Sequence, residues 1–575
     1  MLIKNEGIIM RNIVKITIFL MLGVSLLLGQ TQEKGDTLIV GNFNQEMGAL
    51  DSVIRADTTE DGTKAHSVYK LETGSTYWIQ NAMHFNNPVS IVADEPTEKQ
   101  SPPILRPALK QDGSLPGGFF VVFDDLKLEN LWMTGINPRG DGGMGASLVL
   151  MLGDGNKTYK YDGLIIEHPY TGWSAIQGDN GGMNTLIVND VYAKNVGKKG
   201  IKWNGSPICM TGLGTPQDSV IVTNSTFYNY GVYAPNIGGP SRYAVYKNNT
   251  YANCNSQAFQ LNNPIEAYVK NNVFYNLYVM SEDTAEAYSR APHNDVHGII
   301  HFFKLAESTK DSLYSNHYAP IETDDGNGTL EESERIYELE NNSNYWTQGV
   351  KDWWNENEGK AWNNQEILPQ EFMIDYVDTT FFQSDDYPHM TKSNNMVNTD
   401  PGFKDIGGQS LLDDFVQNMK SAWDENVDGV KVNYRDDLSS FPWPVEEDLS
   451  YTADLTDDQG NKIGDPDWFK DDVVTDVESP ENQSKNFRLE QNYPNPFNPT
   501  TNIRYSLKGN TKVKLSIYNV LGEKVKTLIN KRQSGTHTVK WNATNEAGMK
   551  VSSGIYFYKI KTVNHTKMKK MMLLK

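Results

Sequence analysis

The stretch VKNNVFYN, residues 269–276, is repeated at 246–253 as YKNNTYAN. Related segments are VIVTNSTFYN at 220–229 and LIVNDVYAKN at 186–195. Their alignment superposes four asparagines, spaced 35, 24 and 23 residues apart: Asn189, Asn224, Asn248 and Asn271. A period in the low twenties is the length of one coil of a parallel β-solenoid, with three short strands and three turns.

After each of these asparagines, β-branched or aromatic residues alternate with polar ones, as expected for a strand with one buried face. An asparagine at the same point of every coil resembles the asparagine ladder of the pectate-lyase-like right-handed parallel β-helices. In such a ladder each side chain bonds a tight turn and the next amide in the stack. The resemblance implies an all-β fold, and it leaves the chemistry open because β-helices host lyases, hydrolases and adhesins.

The rest of the chain divides around this repeat. We predict the β-helix over 31–410, with an irregular insertion near 280–336 where the period breaks. Residues 411–470 are predicted to be its C-terminal cap, because a last coil left bare would be an open strand edge. Residues 471–486 are polar and aperiodic, and they read as a linker.

The C-terminal segment, 487–575, contains FRLEQNYPNPFNPTTNIRYSL and ends in KMKKMMLLK. It resembles the C-terminal sorting domain of the type IX secretion system. That resemblance implies contact with the secretion machinery and a place on the cell surface or outside the cell. Alternation around Val513, Leu515 and Ile517 independently predicts a small immunoglobulin-like β-sandwich.

The N-terminus predicts a secretory signal peptide over residues 1–30. Arg11 and Lys15 precede a short apolar run, 16–28, which is followed by small and polar residues. A single membrane anchor is the alternative; no transmembrane segment is expected in the mature chain. The two cysteines, Cys209 and Cys254, could form a disulfide or remain as buried thiols.

Charge is distributed unevenly. The whole chain carries a net charge of −20, yet residues 500–575 hold 16 Lys and Arg against only Glu523 and Glu546. The body of the chain is therefore strongly acidic, which argues against a nucleic-acid partner.

A candidate binding surface follows from the resemblance, since related β-helix enzymes place substrate along the sheet after the asparagine turn. Aligning Ile176, Ile201, Val232 and Phe259 as inward residues puts one outward row in register, namely Gln177, Lys202, Tyr233 and Gln260. A second row is formed by Asp179, Asn204 and Asn262. Amides, a tyrosine and an ammonium suit a carbohydrate, although any outward row of a solenoid is polar.

Residues 184–275 also form a basic island in the acidic body. Its cations are Lys194, Lys198, Lys199, Lys202, Arg242, Lys247 and Lys270, against Asp190, Asp218 and Glu266. An anionic polysaccharide is the natural partner of such an island. For cleavage by β-elimination, Lys202 would be the base, Tyr233 the proton donor and Arg242 the carboxylate clamp.

Metal sites and hydrolytic chemistry receive weaker support. His293, His297 and His301 recur every four residues, but VHGIIHFF reads as a strand in which they would diverge. DENVDG at 424–429 begins like a calcium loop, yet Arg435 stands where the bidentate Glu belongs, so Ca²⁺ is possible but not located. Glycoside hydrolysis would use paired carboxylates such as Asp154, Asp162 and Asp179.

The sequence thus predicts a secreted or cell-surface β-helix protein. It would bind an anionic polysaccharide, and cleavage of that polymer by β-elimination is the further hypothesis. The alternative is a non-catalytic β-helix adhesin or surface-layer protein.

Overall fold

The computed structural model describes most of the β-helix and of the C-terminal segment. The described residues are 31–42, 46–60, 63–97, 100–136, 144, 147–167, 174–178, 182–196, 205–210, 217–231, 234–237, 241–254, 258–261, 264–277, 300–302, 335–349, 382–385, 387–405, 448–469, 487–489, 492, 497, 499–519, 524–552, 554–562 and 566–573. The signal peptide, the linker and nearly all of the 280–336 insertion lie outside them. The chain divides into two compact units, Met1–Lys470 and Asp471–Lys575.

The first unit confirms the predicted parallel β-helix. On most described coils the chain passes through three sheets in turn, here named A, B and C, with strands numbered in chain order. Sheet A contains β2 (Thr37–Val40), β3 (Val68–Leu71), β6 (Val89–Ala93), β9 (Leu126–Glu129), the first parts of β12 (Thr158–Glu167) and β14 (Thr185–Val196), β16 (Gln217–Thr223), β19 (Ser241–Lys247), β22 (Glu266–Lys270), β25 (Ile336–Glu340) and β27 (Met390–Ser393).

Sheets B and C complete each coil. Sheet B contains β4 (Thr76–Ile79), β7 (Ile104–Pro107), β10 (Trp132–Thr134), the second parts of β12 and β14, β17 (Thr226–Tyr230), β20 (Thr250–Cys254), β23 (Val273–Tyr275) and β26 (Ser343–Tyr345). Sheet C contains β5 (Met83–Phe85), β8 (Phe120–Val122), β11 (Val149–Met151), β13 (Ser174–Gly178), β15 (Ser206–Met210) and β18 (Asn236–Ile237). A further pair, β21 (Phe259–Leu261) and β24 (Ile300–Phe302), is also parallel.

The core is a set of inward-facing rows, one residue per coil. Phe227, Tyr251 and Phe274 stack along the axis, with ring centroids 5.2 and 5.4 Å apart. Tyr246 lies flat on Phe259 at 3.8 Å. Because parallel strands repeat the same position in every coil, one aromatic residue per coil produces a continuous stack.

The predicted asparagine ladder is confirmed at the turn between sheets A and B. The side chain of Asn271 donates to Asn248 at 3.2 Å, Asn248 to Asn224 at 3.1 Å, and Asn224 to Asn189 at 2.9 Å. Asn224, Asn248 and Asn271 all have positive φ, a conformation that asparagine tolerates better than most residues.

The alignment of Asn189 was wrong by one residue. Strand register pairs Asn189 with Thr223, so Asp190, with φ 53°, is the residue equivalent to Asn224. In the preceding coil the position is Gly163, where an added Cβ would come within 2.3 Å of the Asn130 side-chain oxygen. The turn therefore accepts Asn, Asp or Gly, the residues that adopt left-handed φ most readily.

Two further ladders run beside the first. In one, Asn249, Asn272, Asn342 and Asn395 each donate to a backbone carbonyl, and the first three also donate to the next asparagine. In the other, Asn276 donates to Asn253, Asn253 to Asn229 and Asn229 to Asn195. The three asparagines of VKNNVFYN thus belong to three different ladders.

The N-terminal end of the helix is covered by β1 (Thr31–Lys34), antiparallel to β2, and by one amphipathic helix, α1 (Ala49–Ala56). Leu50, Val53 and Ile54 of α1 pack into the core of the first coils. The buried carboxylate of Asp51 accepts the side-chain amide of Asn81 at 2.9 Å. The sequence interpretation of this region missed α1.

The segment 448–469, which we name the strap, lies against the outer face of sheet B. It contains β29 (Asp448–Tyr451), paired antiparallel with β28 (Phe403–Asp405), and a 3-10 turn, Pro466–Phe469. Asp465 accepts from the hydroxyl of Thr226 at 2.7 Å, and the indole of Trp468 donates to the same hydroxyl at 2.8 Å. The described part of the predicted cap therefore covers the side of the helix across several coils.

The second unit is an antiparallel sheet. Its strands are β30 (Phe487–Leu489), β31 (Thr501–Tyr518), β32 (Lys524–Trp541), β33 (Gly554–Lys561) and β34 (Thr566–Leu573). The predicted alternation is confirmed, since Val513, Leu515 and Ile517 are all buried together with Trp541.

Candidate functional site

The outer face of sheet C differs from the predicted binding row. Ile176 and Phe259 are buried, as expected, and Gln177 faces outward and accepts from the Ser147 hydroxyl at 3.1 Å. Register, however, pairs Gln177 with Cys209 and Cys209 with Asn236. Cys209 and Asn236 therefore continue the row from Gln177.

Half of the described positions in this row are apolar. On the N-terminal side Gln177 is followed by Leu150, Val121 and His84. Val121 is 7% exposed and Cys209 is 3% exposed, so the middle of the face offers few polar groups. Of the predicted contacts, Asp179, Lys202, Asn204, Tyr233 and Asn262 lie outside the described residues, as does the side chain of Gln260.

Arg242 lies on a different wall from Gln177. It belongs to β19 in sheet A, its side chain is 55% exposed, and its guanidinium lies 2.5 Å from the carboxylate of Asp218. The structure therefore does not bring Arg242 and Gln177 to one surface, and Arg242 already has a carboxylate partner.

Three of the four described cations of the basic island, Lys194, Arg242 and Lys270, take part in ion pairs, whereas Lys198, Lys199 and Lys202 lie outside the described residues. Lys194 is fully buried 3.6 Å from the buried carboxylate of Glu167. Lys270 lies between Glu340, at 2.8 Å, and Glu338, to which its bond is shorter. These glutamates fall outside the 184–275 window over which the island was counted.

The outer face of sheet A carries a strip of half-buried apolar residues. Strand register places Ile187, Ile221, Val245 and Tyr268 side by side on β14, β16, β19 and β22. Tyr243, two residues before Val245, places its ring 5.6 Å from Tyr268 at an interplanar angle of 51°. Neighbouring strands lie about 4.8 Å apart, so the strip is a shallow platform crossed by successive coils.

Charged groups surround the two tyrosines. The Tyr268 hydroxyl donates to the Glu266 carboxylate at 3.3 Å, and the Lys270 ammonium lies 5.6 Å from the Tyr268 ring centroid. Burial, and then the nearby carboxylates of Glu266 and Glu338, raise the pKa of Tyr268. Burial lowers the pKa of Lys270, but bonds to Glu338 and Glu340 outweigh that effect and leave it raised. At neutral pH the platform thus presents neutral phenols and a paired ammonium.

Other predicted sites receive less support. Asp162 accepts the side-chain amide of Asn189 at 2.7 Å and lies 3.1 Å from Lys160, so it extends the first ladder. Both cysteines are buried thiols, Cys209 on the outside of sheet C and Cys254 in the core. His301 lies on a strand, as predicted; His293, His297 and the 424–429 loop are outside the described residues. Where residues are described, no cluster of three metal-ligating side chains occurs.

Tyr243, Tyr268, Glu338 and Glu340 were missed by the sequence interpretation. The signal for the tyrosines is present, because they occupy outward positions in RYAVYK and EAYVK, the strands that lead into YKNNTYAN and VKNNVFYN. The two glutamates follow the 280–336 insertion, so only the strand register brings them beside Lys270.

Comparison with known proteins gives one family match. Residues 491–574 match the model described as the secretion system C-terminal sorting domain. No curated protein matches the chain. Two solved structures show partial similarity. One is PorZ, a surface component of the type-IX secretion system of Porphyromonas gingivalis, at 24% identity over 15% of this chain and 11% of that chain, with TM-score 0.12. The other is dimeric latent PorU from the same organism, at 20% identity over 18% and 10%, with TM-score 0.14. The chain thus spans about a tenth of each.

The sorting domain establishes the location of the protein. This domain marks proteins that are secreted to the cell surface or the extracellular space, and it implies interaction with the type IX secretion machinery. Across the described ranges, no helix combines the length and apolar character needed to cross a bilayer.

Proposed function

We propose that the protein is a secreted or surface-displayed polysaccharide-binding protein, and that the outer face of sheet A binds the polymer. The observation that carries this proposal is the half-buried pair Tyr243 and Tyr268, with ring centroids 5.6 Å apart beside the half-buried apolar residues Ile187, Ile221 and Val245. Aromatic rings bury the apolar faces of sugars, and nearby polar groups can bond the hydroxyls.

The geometry of the solenoid fits an extended ligand. Equivalent positions recur about every 4.8 Å across the coils, so a chain-like ligand crossing sheet A meets a regular series of side chains. Glu266 and Glu338 offer acceptors and Lys270 offers a donor beside the rings. An export signal is consistent with this function, because polysaccharides of the cell surface and surroundings are encountered outside the cell.

Binding can be tested by affinity electrophoresis of the full chain with a panel of soluble polysaccharides. We expect Tyr268→Ala and Tyr243→Ala to weaken binding about tenfold each, corresponding to about 1.4 kcal/mol. Phe123→Ala is the matched control, since Phe123 is an exposed aromatic residue of the same domain outside the strip. Equal binding by all three variants would contradict the proposal.

Cleavage by β-elimination stays a prediction, with Lys202 as base, Tyr233 as proton donor and Arg242 as clamp. Arg242 would first have to leave Asp218, and this favours binding without cleavage. Incubation with alginate and pectin distinguishes the two, because elimination creates unsaturated uronate ends that absorb in the ultraviolet. Binding without such absorbance supports the alternative, a non-catalytic adhesin or surface-layer protein.

A further inference from the structure

The charges around the tyrosine platform indicate which class of polymer it binds. Two of its cations are engaged: Lys270 by Glu338 and Glu340, and Arg242 by Asp218. Lys247, exposed on β19 and beside Lys270 in register, is the remaining cation on the described strands β19, β22 and β25 of sheet A.

Acidic groups slightly outnumber basic ones at this surface. The carboxylates are Asp218, Glu266, Glu338 and Glu340; the cations are Arg242, Lys247 and Lys270. An anionic polymer entering here would meet carboxylates that already satisfy the ammonium and guanidinium groups. To bind Lys270 or Arg242, the polymer would have to replace their carboxylate partners, which loses the electrostatic energy of these ion pairs and adds no positive charge to the surface.

We infer that the ligand of the sheet A platform is an uncharged polysaccharide, an inference that rests on the proposed function. An uncharged sugar ring can stack on Tyr243 or Tyr268, and its hydroxyls can donate to Glu266 and Glu338. Ionised carboxylates act only as acceptors, so they suit hydroxyl donors and repel uronates. Lys270, fixed by its two carboxylates, contributes a donor whose position does not depend on the ligand.

The experiment compares two polymers of similar length, a neutral β-linked glucan and polygalacturonate, at about 50 and 500 mM salt. We expect the glucan to bind the full chain, to lose about tenfold in affinity with Tyr268→Ala, and to show little salt dependence, since uncharged ligands are not screened. Polygalacturonate should bind at least about tenfold more weakly.

A charge-altering variant tests the same point from the other side. E338Q/E340Q keeps the size of both side chains but releases Lys270 from its pairs. We expect this variant to gain several-fold in affinity for polygalacturonate at low salt and to lose that gain at high salt.

The outcomes separate the two proposals. Tighter binding of polygalacturonate than of glucan by the wild type, still dependent on Tyr268, would overturn the uncharged class but leave polysaccharide binding in place. Binding of neither polymer in a Tyr268-dependent manner, with unchanged circular dichroism of the variant, would overturn the polysaccharide-binding function itself.

Discussion

The outer faces of sheets A and B are built from the same coils, and both carry tyrosines, yet the two tyrosines of the platform on sheet A are more exposed than two of those on sheet B. On sheet A, Tyr243 and Tyr268 are half-buried. On sheet B, Tyr228 is fully buried and Tyr275 is 7% exposed, because they pack with Leu449 of the strap and with Phe403. An outward aromatic row therefore does not define a binding face, since a distant segment decides whether the row reaches solvent.

The two faces also differ in how they satisfy their polar groups. On sheet B the hydroxyls of Thr226 and Thr250 bond Asp465 and Trp468 of the strap. On sheet A the polar groups are ion pairs such as Lys270 with Glu340. On sheet B the strap supplies the hydrogen-bond partners of these polar groups. On sheet A, carboxylate acceptors stay within reach of a ligand.

We expect the largest loss of stability from a substitution in the buried ladder through Asn272. This ladder lies at the turn that joins sheets A and B, so its loss affects both faces. Asn272 donates to Tyr246 and Asn342 and accepts from the backbone and side chain of Asn249. Asn272→Ala leaves several buried groups without a partner, so we expect a loss of about 3–5 kcal/mol in unfolding free energy. Calorimetry of the full chain would measure it as a lowered melting temperature of the β-helix transition.

Asn271→Gly is the comparison for that variant. Glycine keeps the positive φ of Asn271 and removes its bond in the half-buried ladder and a long bond, 3.5 Å, to Asp457 of the strap, so a loss of about 1 kcal/mol is expected. If both substitutions cost the same, the buried ladder has no special role.

We expect a smaller loss of stability when the strap is loosened from sheet B. Trp468 bonds Thr226 and packs edge-on against Tyr192, with centroids 5.7 Å apart. Trp468→Ala is expected to cost about 2 kcal/mol, and Trp468→Phe, which keeps the packing, about 1 kcal/mol. Limited proteolysis should cut the strap faster in the alanine variant; unchanged cleavage would show that the strap is held by other contacts.

On the outer face of sheet A, Tyr268→Ala should affect binding far more than folding. A half-buried ring contributes less than a core residue, so we expect the unfolding free energy to change by about 1 kcal/mol or less. The affinity for the polysaccharide should fall about tenfold. Urea unfolding measures the stability of the variant, and affinity electrophoresis measures its binding. A loss of stability as large as the loss of binding free energy would contradict this prediction.

The smallest effect concerns pH on the outer face of sheet A. The pKa of Lys270 is raised above its ordinary value of 10.5, so its contribution is complete below that pH and disappears as pH rises through the folded-state pKa. We expect Lys270→Met to cost less than about 1 kcal/mol at pH 8. The difference in melting temperature from the wild type should shrink as the pH rises above 10.5 and vanish once it exceeds the raised folded-state pKa. A difference that stays constant with pH would show that the effect comes from packing.

Much of the fold could be predicted because the asparagine turn has a local cause. Positive φ selects Asn, Asp or Gly at one position per coil, and this selection is visible as VKNN, YKNN and VTNS. The one-residue error at Asn189 arose because Asp190 satisfies the same backbone requirement. The ladders through Asn272 and Asn276 were present in the same repeated motif, but only the first asparagine was aligned.

The candidate site was less predictable because it depends on loop lengths and distant segments. Strand β15 begins at Ser206 after β14 ends at Val196, whereas β18 begins at Asn236 after β17 ends at Tyr230. These unequal loops broke the assumed register of sheet C. Similarly, the sequence does not show which strand after the 280–336 insertion pairs with the strand of Lys270, so Glu338 and Glu340 could not be predicted as its partners. The sequence of the strap also does not indicate which face of the β-helix it covers.

The strap has a consequence for the order of folding. In the first ladder, contacts between coils join residues 23, 24 or 35 positions apart, but Asp465 and Trp468 meet Thr226 across 239 and 242 residues. Distant contacts close after local ones, because a longer loop costs more entropy to close and forms more slowly. We expect pulsed hydrogen exchange to show strap amides protected last during refolding. Sheet A would then be complete as soon as its coils stack, while sheet B would spend the final stage of folding with its tyrosines in water.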